Sequence, residues 1–206
     1  MKITKRETIQ VGTFEVNTTI LTINDRAWIV DPGSEGERII TYLERLALKP
    51  ERILLTHAHF DHIGAINTLQ THFPSLPVYV GEKDIPVLTH PLNQLPPDYP
   101  PIELPKNLVA LKDGTPPEEL ADIEIIATPG HTPGGVCYYF PGALLLSGDT
   151  LFAGSIGRTD LPGGNMATLM CSLERLKQLP PDTIVIPGHG TFTTIARELA
   201  GNPFLQ

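Results

Sequence analysis

Three histidines and an aspartate fall together in "ILLTHAHFDHIG", Ile53 to Gly64, directly after an apolar run. His57 and His59 alternate with Ala58, so in an extended or turning segment both can point the same way. Asp61 and His62 follow at a turn, and Gly64 lets the chain bend. A lone histidine is ordinarily a surface or satisfied core residue, and His72 and His90 suit that description. The remaining five share a context with one aspartate. "ILLT" leads to His57, "EIIATPG" to His131, "TIVIPG" to His189 and "ALLLSG" to Asp149. If these strands line up in one sheet or two packed sheets, the groups converge at their C-terminal edge, where sites form in many α/β folds. Imidazole nitrogen and carboxylate oxygen suit zinc, and also iron or manganese. One metal takes about four ligands. His57, His59, Asp61, His62, His131, Asp149 and His189 are too many for one closed site and fit two metals sharing a carboxylate and a water. Neither Cys137 nor Cys171 sits in a CxxC pair, so a structural thiolate zinc is not expected.

The elements that would carry these groups are legible as patterns. "KITKRETIQV" and "FEVNTTILTI" show period-two and β-branched runs of strands, and "AWIVDPG" is a third strand ended by Pro32 and Gly33. "EGERIITYLERLAL" has helical spacing. "RILLT" is a short buried strand, "GAINTLQTHF" a helix stopped by Pro74, and "PVYVG" another strand. Pro91 to Pro105 forms a long proline-rich loop, a functional flap or an insertion. "DIEIIATPG" resumes strand character, and "GVCYYFPGALLLSGD" reads as two strands joined at Pro141-Gly142. "NMATLMCSLERLKQL" is a helix with Asn165 as N-cap, "DTIVIPGHG" a strand, and "TTIARELAG" a terminal helix stopped by Gly201. A loose recurrence of this order suggests two related halves.

The 206 residues suit one domain, 1–206, with a full core. A formal net charge of −8 and the lack of a basic cluster argue against a nucleic-acid partner. The start has no apolar core of signal-peptide length, and no run reaches the roughly 20 apolar residues of a membrane span. The expectation is a cytoplasmic protein with reduced cysteines and no membrane association.

"THAHFDH" resembles the HxHxDH signature of the metallo-β-lactamase superfamily, and "GHTPGG", "GDTLF" and "PGHG" resemble its later motifs in order. The resemblance implies an α/β fold, a four-layer αββα sandwich with metals at the edge of the two central sheets. By position it implies that His57, His59 and His131 hold the first metal, that Asp61, His62 and His189 hold the second, and that Asp149 bridges. "GDTLFAGSIGRTDLPGG" is similar to the glyoxalase II-like (hydroxyacylglutathione hydrolase-like) enzymes, which act on thioesters of glutathione. Arg158 falls where the longer enzymes carry a basic residue that anchors substrate. The chain departs from them with Ile156 in place of Cys and Asp160 in place of an aromatic anchor. It also ends soon after "PGHG", without their glutathione-gripping helical region, as in a shorter bacterial group.

The implied function is a metal-dependent hydrolase, a thioesterase acting on an S-lactoylglutathione-like substrate. A metal-bridging hydroxide would attack the carbonyl, with Asp61 catalytic in orienting it. Two divalent cations, zinc first and iron or manganese as alternatives, leave a positive floor that favours an anionic small molecule, with Arg158 on its carboxylate. Thr56 and Thr132 flank ligands, and Asp31 is placed to accept a ligand imidazole's spare N–H. The alternative is an iron-dependent persulfide dioxygenase, in which His57, His131 and Asp149 hold one iron. A β-lactamase, a nuclease and a non-enzymatic metal module fit less well.

Overall fold

The computed structural model describes residues 2–91, 103–112 and 115–206. Strands β1 (Ile3–Val11), β2 (Val16–Ile23), β3 (Arg26–Val30), β4 (Lys49–Leu54), β5 (Val78–Gly81) and β6 (Leu108–Leu111) form one sheet in that order. The first three are antiparallel, and β3 through β6 run parallel. A second sheet has the order β13 (Thr193–Thr194), β12 (Ile184–Pro187), β9 (Leu144–Gly148), β8 (Val136–Phe140), β7 (Glu124–Ala127). Strands β10 (Leu151–Phe152) and β11 (Ser155–Ile156) pair as a small hairpin. The helices are α1 (Gly36–Arg45), α2 (Phe60–Ile63), α3 (Ile66–His72), α4 (Ile85–Leu88), α5 (Met166–Leu176) and α6 (Ile195–Gly201).

Three apolar clusters separate four layers, which is the αββα sandwich. Alternate residues of each central strand face opposite ways, and both faces are covered, so the strands read as continuous apolar runs. Trp28, Val30 and Leu54 of the first sheet meet Tyr138, Leu146 and Ile186 of the second. The opposite face of the first sheet, with Ala27, Ile29 and Ile53, packs on Ile39 and Leu43 of α1 and Ile66 and Leu69 of α3. Cys137, Leu145 and Val185 of the second sheet pack on Leu169, Leu173 and Leu176 of α5. Asn165 does cap α5, accepting from the Thr168 N–H at 2.9 Å. Gly201 does not stop α6: it is the last helical residue, and Asn202 ends the helix, buried with its amide donating to Glu198 and to Ser155 O. Most of the Pro91–Pro105 loop lies outside the described residues. Among the described residues, no helix is long and apolar enough to cross a membrane.

Directionality matters most for the site. Strands β7, β9 and β12 run the same way, because β8 is antiparallel to both neighbours and β9 is parallel to β12. Their C-terminal ends therefore open at one edge, and β4 delivers its loop there from the other sheet.

Candidate metal centre

The loop after β4 carries His57 and His59 into the start of α2, which presents Asp61 and His62. His131 follows β7, Asp149 follows β9 at once, and His189 follows β12. The ligand atoms of His57, His59 and His131 lie within 4.8 Å of one another, as do those of Asp61, His62 and His189. Asp149 stands between the groups, 3.4 Å from His62 Nε2 and 3.6 Å from both His131 Nε2 and His189 Nε2. All seven expected positions are thus brought together. His72 lies apart, exposed beside Phe73 and Glu44. His90, read as a surface residue, is exposed but lines the rim of the same cleft.

The partners of each ring fix which nitrogen faces inward. A carbonyl oxygen only accepts, so His131 Nδ1 donates to Arg158 O at 2.7 Å and His189 Nδ1 to Phe14 O at 2.8 Å. His62 Nδ1 lies 3.0 Å from Asp31 Oδ2. The Thr56 hydroxyl donates to that same oxygen at 2.6 Å, which leaves its lone pairs to accept from His57 Nδ1 at 3.1 Å. The Nε2 atoms of four rings, His57, His62, His131 and His189, therefore face the centre. His131 Nε2 lies 2.9 Å from His59 Nδ1, and His62 Nε2 lies 3.2 Å from His189 Nε2. Ring nitrogens this close must share a proton or hold a cation between them. His57 Nε2 and Asp149 Oδ1 are moreover buried without a hydrogen-bond partner, a state that costs about 1–3 kcal/mol per group unless something fills it. Two divalent cations fit this donor set.

The electrostatics agree. Burial, reinforced by the neighbouring rings, pushes His57 well below the usual imidazole range and His59 down to about 4, so both are neutral donors. Burial alone would raise Asp149, but His62, His131 and His189 outweigh it and hold it well below the usual carboxylate range. Burial would likewise lower His62, yet Asp149, Asp61 and Asp31 raise it well above its ordinary value, the mark of a centre that attracts positive charge.

Two buried carboxylates hold the frame. Asp31, in a left-handed backbone conformation (φ 47°), accepts from the Thr56 N–H at 2.7 Å as well as from the Thr56 hydroxyl and His62. Asp84, just past β5, accepts from the Ala58 N–H at 3.0 Å, the Thr132 hydroxyl at 2.8 Å and the Gly134 N–H at 2.6 Å. It ties the first metal-facing loop to the His131 loop, and sequence reasoning missed it. No local pattern marks it: Asp84 stands three residues past its strand, whereas Asp149 follows its strand at once. Gly188 is required by close approach: a Cβ there would strike Asp149 Oδ1 and come within 2.6 Å of His62 Cε1.

Arg158 lines the cleft, but its guanidinium is clasped by Asp160, with Nε and Nη2 each 2.7 Å from a carboxylate oxygen. What it supplies to the centre is its backbone carbonyl, which orients His131.

A four-layer sandwich with a cation-seeking cluster of imidazoles and carboxylates at one edge of its sheets defines a metal-dependent enzyme. The family model described as the metallo-β-lactamase superfamily matches residues 11–189, and the chain belongs to that superfamily. It is 41% identical over 201 residues to a Bacillus subtilis protein named "Probable metallo-hydrolase YqgX", covering 95% of each chain. It is 38% identical over 211 residues to "Hydroxyacylglutathione hydrolase GloC" of Haemophilus influenzae, covering 97% of each. Among solved structures, TTHA1623 in a di-iron-bound form superposes with a TM-score of 0.87 at 38% identity, over 97% of this chain and 100% of that one. The BLEG-1 B3 metallo-beta-lactamase gives 0.87 at 39%, over 98% and 99%. ETHE1 from Myxococcus xanthus gives 0.77 at 26%, over 97% and 83%.

Proposed function

We propose that the protein is a metal-dependent thioester hydrolase of the glyoxalase II type, acting in the cytoplasm on a small anionic substrate of the S-lactoylglutathione kind. The observation that carries this reading is the pair of three-residue groups on either side of Asp149, with His57 Nε2 and Asp149 Oδ1 buried and unsatisfied. The similarity to a hydroxyacylglutathione hydrolase supports the thioester as substrate. His57, His59 and His131 would hold one cation and Asp61, His62 and His189 the other, with Asp149 shared. Zinc is proposed first, and iron or manganese suits the same nitrogen and oxygen donors. When bound, such cations bring the pKa of water from about 15.7 to about 7 and act as Lewis acids toward a carbonyl oxygen. Asp61 would orient the attacking water by accepting its O–H at a carboxylate oxygen. Asp31 and Thr56 would keep His57 and His62 in the tautomers that face inward. Arg158 would meet a substrate carboxylate through Nη1, since Asp160 occupies its other edge.

The test is the purified protein, its metal content measured, assayed for thiol release from S-lactoylglutathione before and after chelation. Hydrolysis that is lost with the metal and restored by adding it back is the expected result. The similarity to ETHE1 favours one second reading, the iron-dependent persulfide dioxygenase held by His57, His131 and Asp149. Oxygen uptake and sulfite formation from glutathione persulfide, without thioester hydrolysis, would establish that reading and overturn the first.

A further inference from the structure

The cleft over the metal-facing residues has a volume of about 660 Å³. Its floor is polar and its walls are mostly apolar: Phe14, Phe60, Phe152, Ile156, Leu161 and Pro162 surround the opening, with His90, Ser155 and Arg158 as the polar side chains among them. Among the described lining residues the one Lys or Arg is Arg158, already paired with Asp160.

The aromatic residues are built into the frame of the centre. Phe14 sits in the tight connection between β1 and β2, where Gly12 (φ 69°) and Glu15 (φ 52°) both take left-handed conformations. Turn tips favour Gly, Asn, Asp and Ser, yet here a phenylalanine stands 51% exposed. Its carbonyl orients His189, and its ring meets Phe60 edge-on with centroids 5.4 Å apart. Phe60 lies between His59 and Asp61. Phe152 is 6.4 Å from the His189 ring, on the β10–β11 hairpin that Glu198 pins through the Gly154 N–H at 2.8 Å. A half-exposed aromatic wall held this firmly marks a surface that a ligand covers.

We propose that this wall selects thioesters bearing an apolar chain next to the reacting carbonyl or its sulfur, with Phe14 as a specificity-determining residue. The inference rests on the thioesterase reading and adds to it a preference, among thioesters, for an aliphatic or aryl group beside the reacting carbonyl or its sulfur. Acetyl, butyryl and hexanoyl thioesters of N-acetylcysteamine vary the acyl side. Acetyl thioesters of ethanethiol, butanethiol and hexanethiol vary the sulfur side. Each methylene buried against the wall raises kcat/KM by up to about fourfold, so the longest and shortest members of one series are expected to differ by at least about tenfold. Phe14→Ala keeps the carbonyl that orients His189 and should flatten that dependence, while Phe14→Trp should retain it. Calorimetric binding of uncleavable S-methyl and S-hexyl N-acetylcysteamine to the metal-loaded protein reads the same preference without turnover. Hydrolysis with equal rates along both series, or a chain-length dependence unchanged by Phe14→Ala, overturns the inference and leaves the thioesterase standing. Tighter binding of the hexyl compound with no thioester cleaved supports the wall and sinks the thioesterase. Equal binding of both thioethers, with no cleavage, overturns both.

Discussion

The first sheet delivers His57, His59, Asp61 and His62 from the single loop after β4, whereas the second delivers His131, Asp149 and His189 from three separate loops. The two deliveries are also braced differently. On the first side the supports are side chains: Asp31 holds Thr56 and His62, and Asp84 holds the Ala58 N–H. On the second side the rings are oriented by backbone carbonyls, Arg158 O for His131 and Phe14 O for His189, with glycine at position 188 and Asp84 reaching across to the His131 loop. A loop that must fold four donors around a centre needs carboxylates to collect its N–H groups. A loop that presents one donor directly from a strand end needs only a neighbouring turn to fix its ring. Support by a backbone carbonyl survives substitution of the residue that carries it, whereas support by Asp31 or Asp84, or by the missing Cβ of Gly188, does not.

Removing a donor tests the sharing between the sides and should have the largest effect. Asp149→Ala is expected to lose both cations and bring turnover below detection, because Asp149 faces both groups. His57→Ala should lose one cation with turnover equally abolished, and His72→Ala should change neither quantity. Metal analysis beside the thioester assay reads all three. Equal metal loss in Asp149→Ala and His57→Ala would show that the cluster acts as one site.

Next comes the carboxylate that joins the sides. Asp84→Ala leaves two buried N–H groups and a hydroxyl without acceptors, so a loss of about 3 kcal/mol in stability is expected, read by denaturant unfolding. Asp84→Asn preserves volume and one acceptor oxygen and should recover part of it. If Asp84→Ala unfolds at the same denaturant concentration as the parent, Asp84 does not brace the two loops.

The same contrast explains what could be read from the sequence. The strands that lead to the donors were legible because each is an apolar run ending at Gly, Thr or Pro. Both faces of each sheet are covered, so that signal was strong. Strand β6 was not, because Leu108–Leu111 is half-exposed over much of its length and follows the proline-rich run. Strands β10, β11 and β13 are two residues each, too short for any period. Asp31 and Thr56 announced themselves by adjacency to strand ends and to His57. Asp84 partners Thr132 and Gly134 some fifty positions away, a contact no local pattern carries. Asp160 stands two positions from Arg158 and reads in the sequence only as a departure from the family; that its carboxylate clasps the guanidinium is a matter of side-chain placement, which residue types alone do not carry.

Smaller effects separate side-chain support from backbone support. Asp31→Ala removes the acceptor of His62 Nδ1 and the Thr56 hydroxyl, and metal affinity should fall about 10–100-fold, as for other groups that orient a ligand imidazole. Arg158→Ala keeps the carbonyl on His131 and should leave metal affinity unchanged. A chelator competition titration of the two variants decides, and a comparable loss in Arg158→Ala would mean that its side chain, not its carbonyl, holds the loop.

The smallest expected effect concerns the cysteines, which lie on the second side and take no part in the centre. Cys137 is fully buried between the second sheet and α5, and burial pushes its thiol up to about 11 despite hydrogen bonding by Thr128. The thiolate is the reactive form, so Cys137 should resist alkylation near neutral pH. Cys171 is exposed on α5. Iodoacetamide at pH 8 should therefore label Cys171 alone in the native protein and reach Cys137 only on denaturation, with thioester turnover unaffected by the first label. Native labelling of Cys137 would mean that the α5 layer opens over its sheet. The second side would then depend on that helix for its rigidity as much as on the backbone carbonyls that orient its histidines.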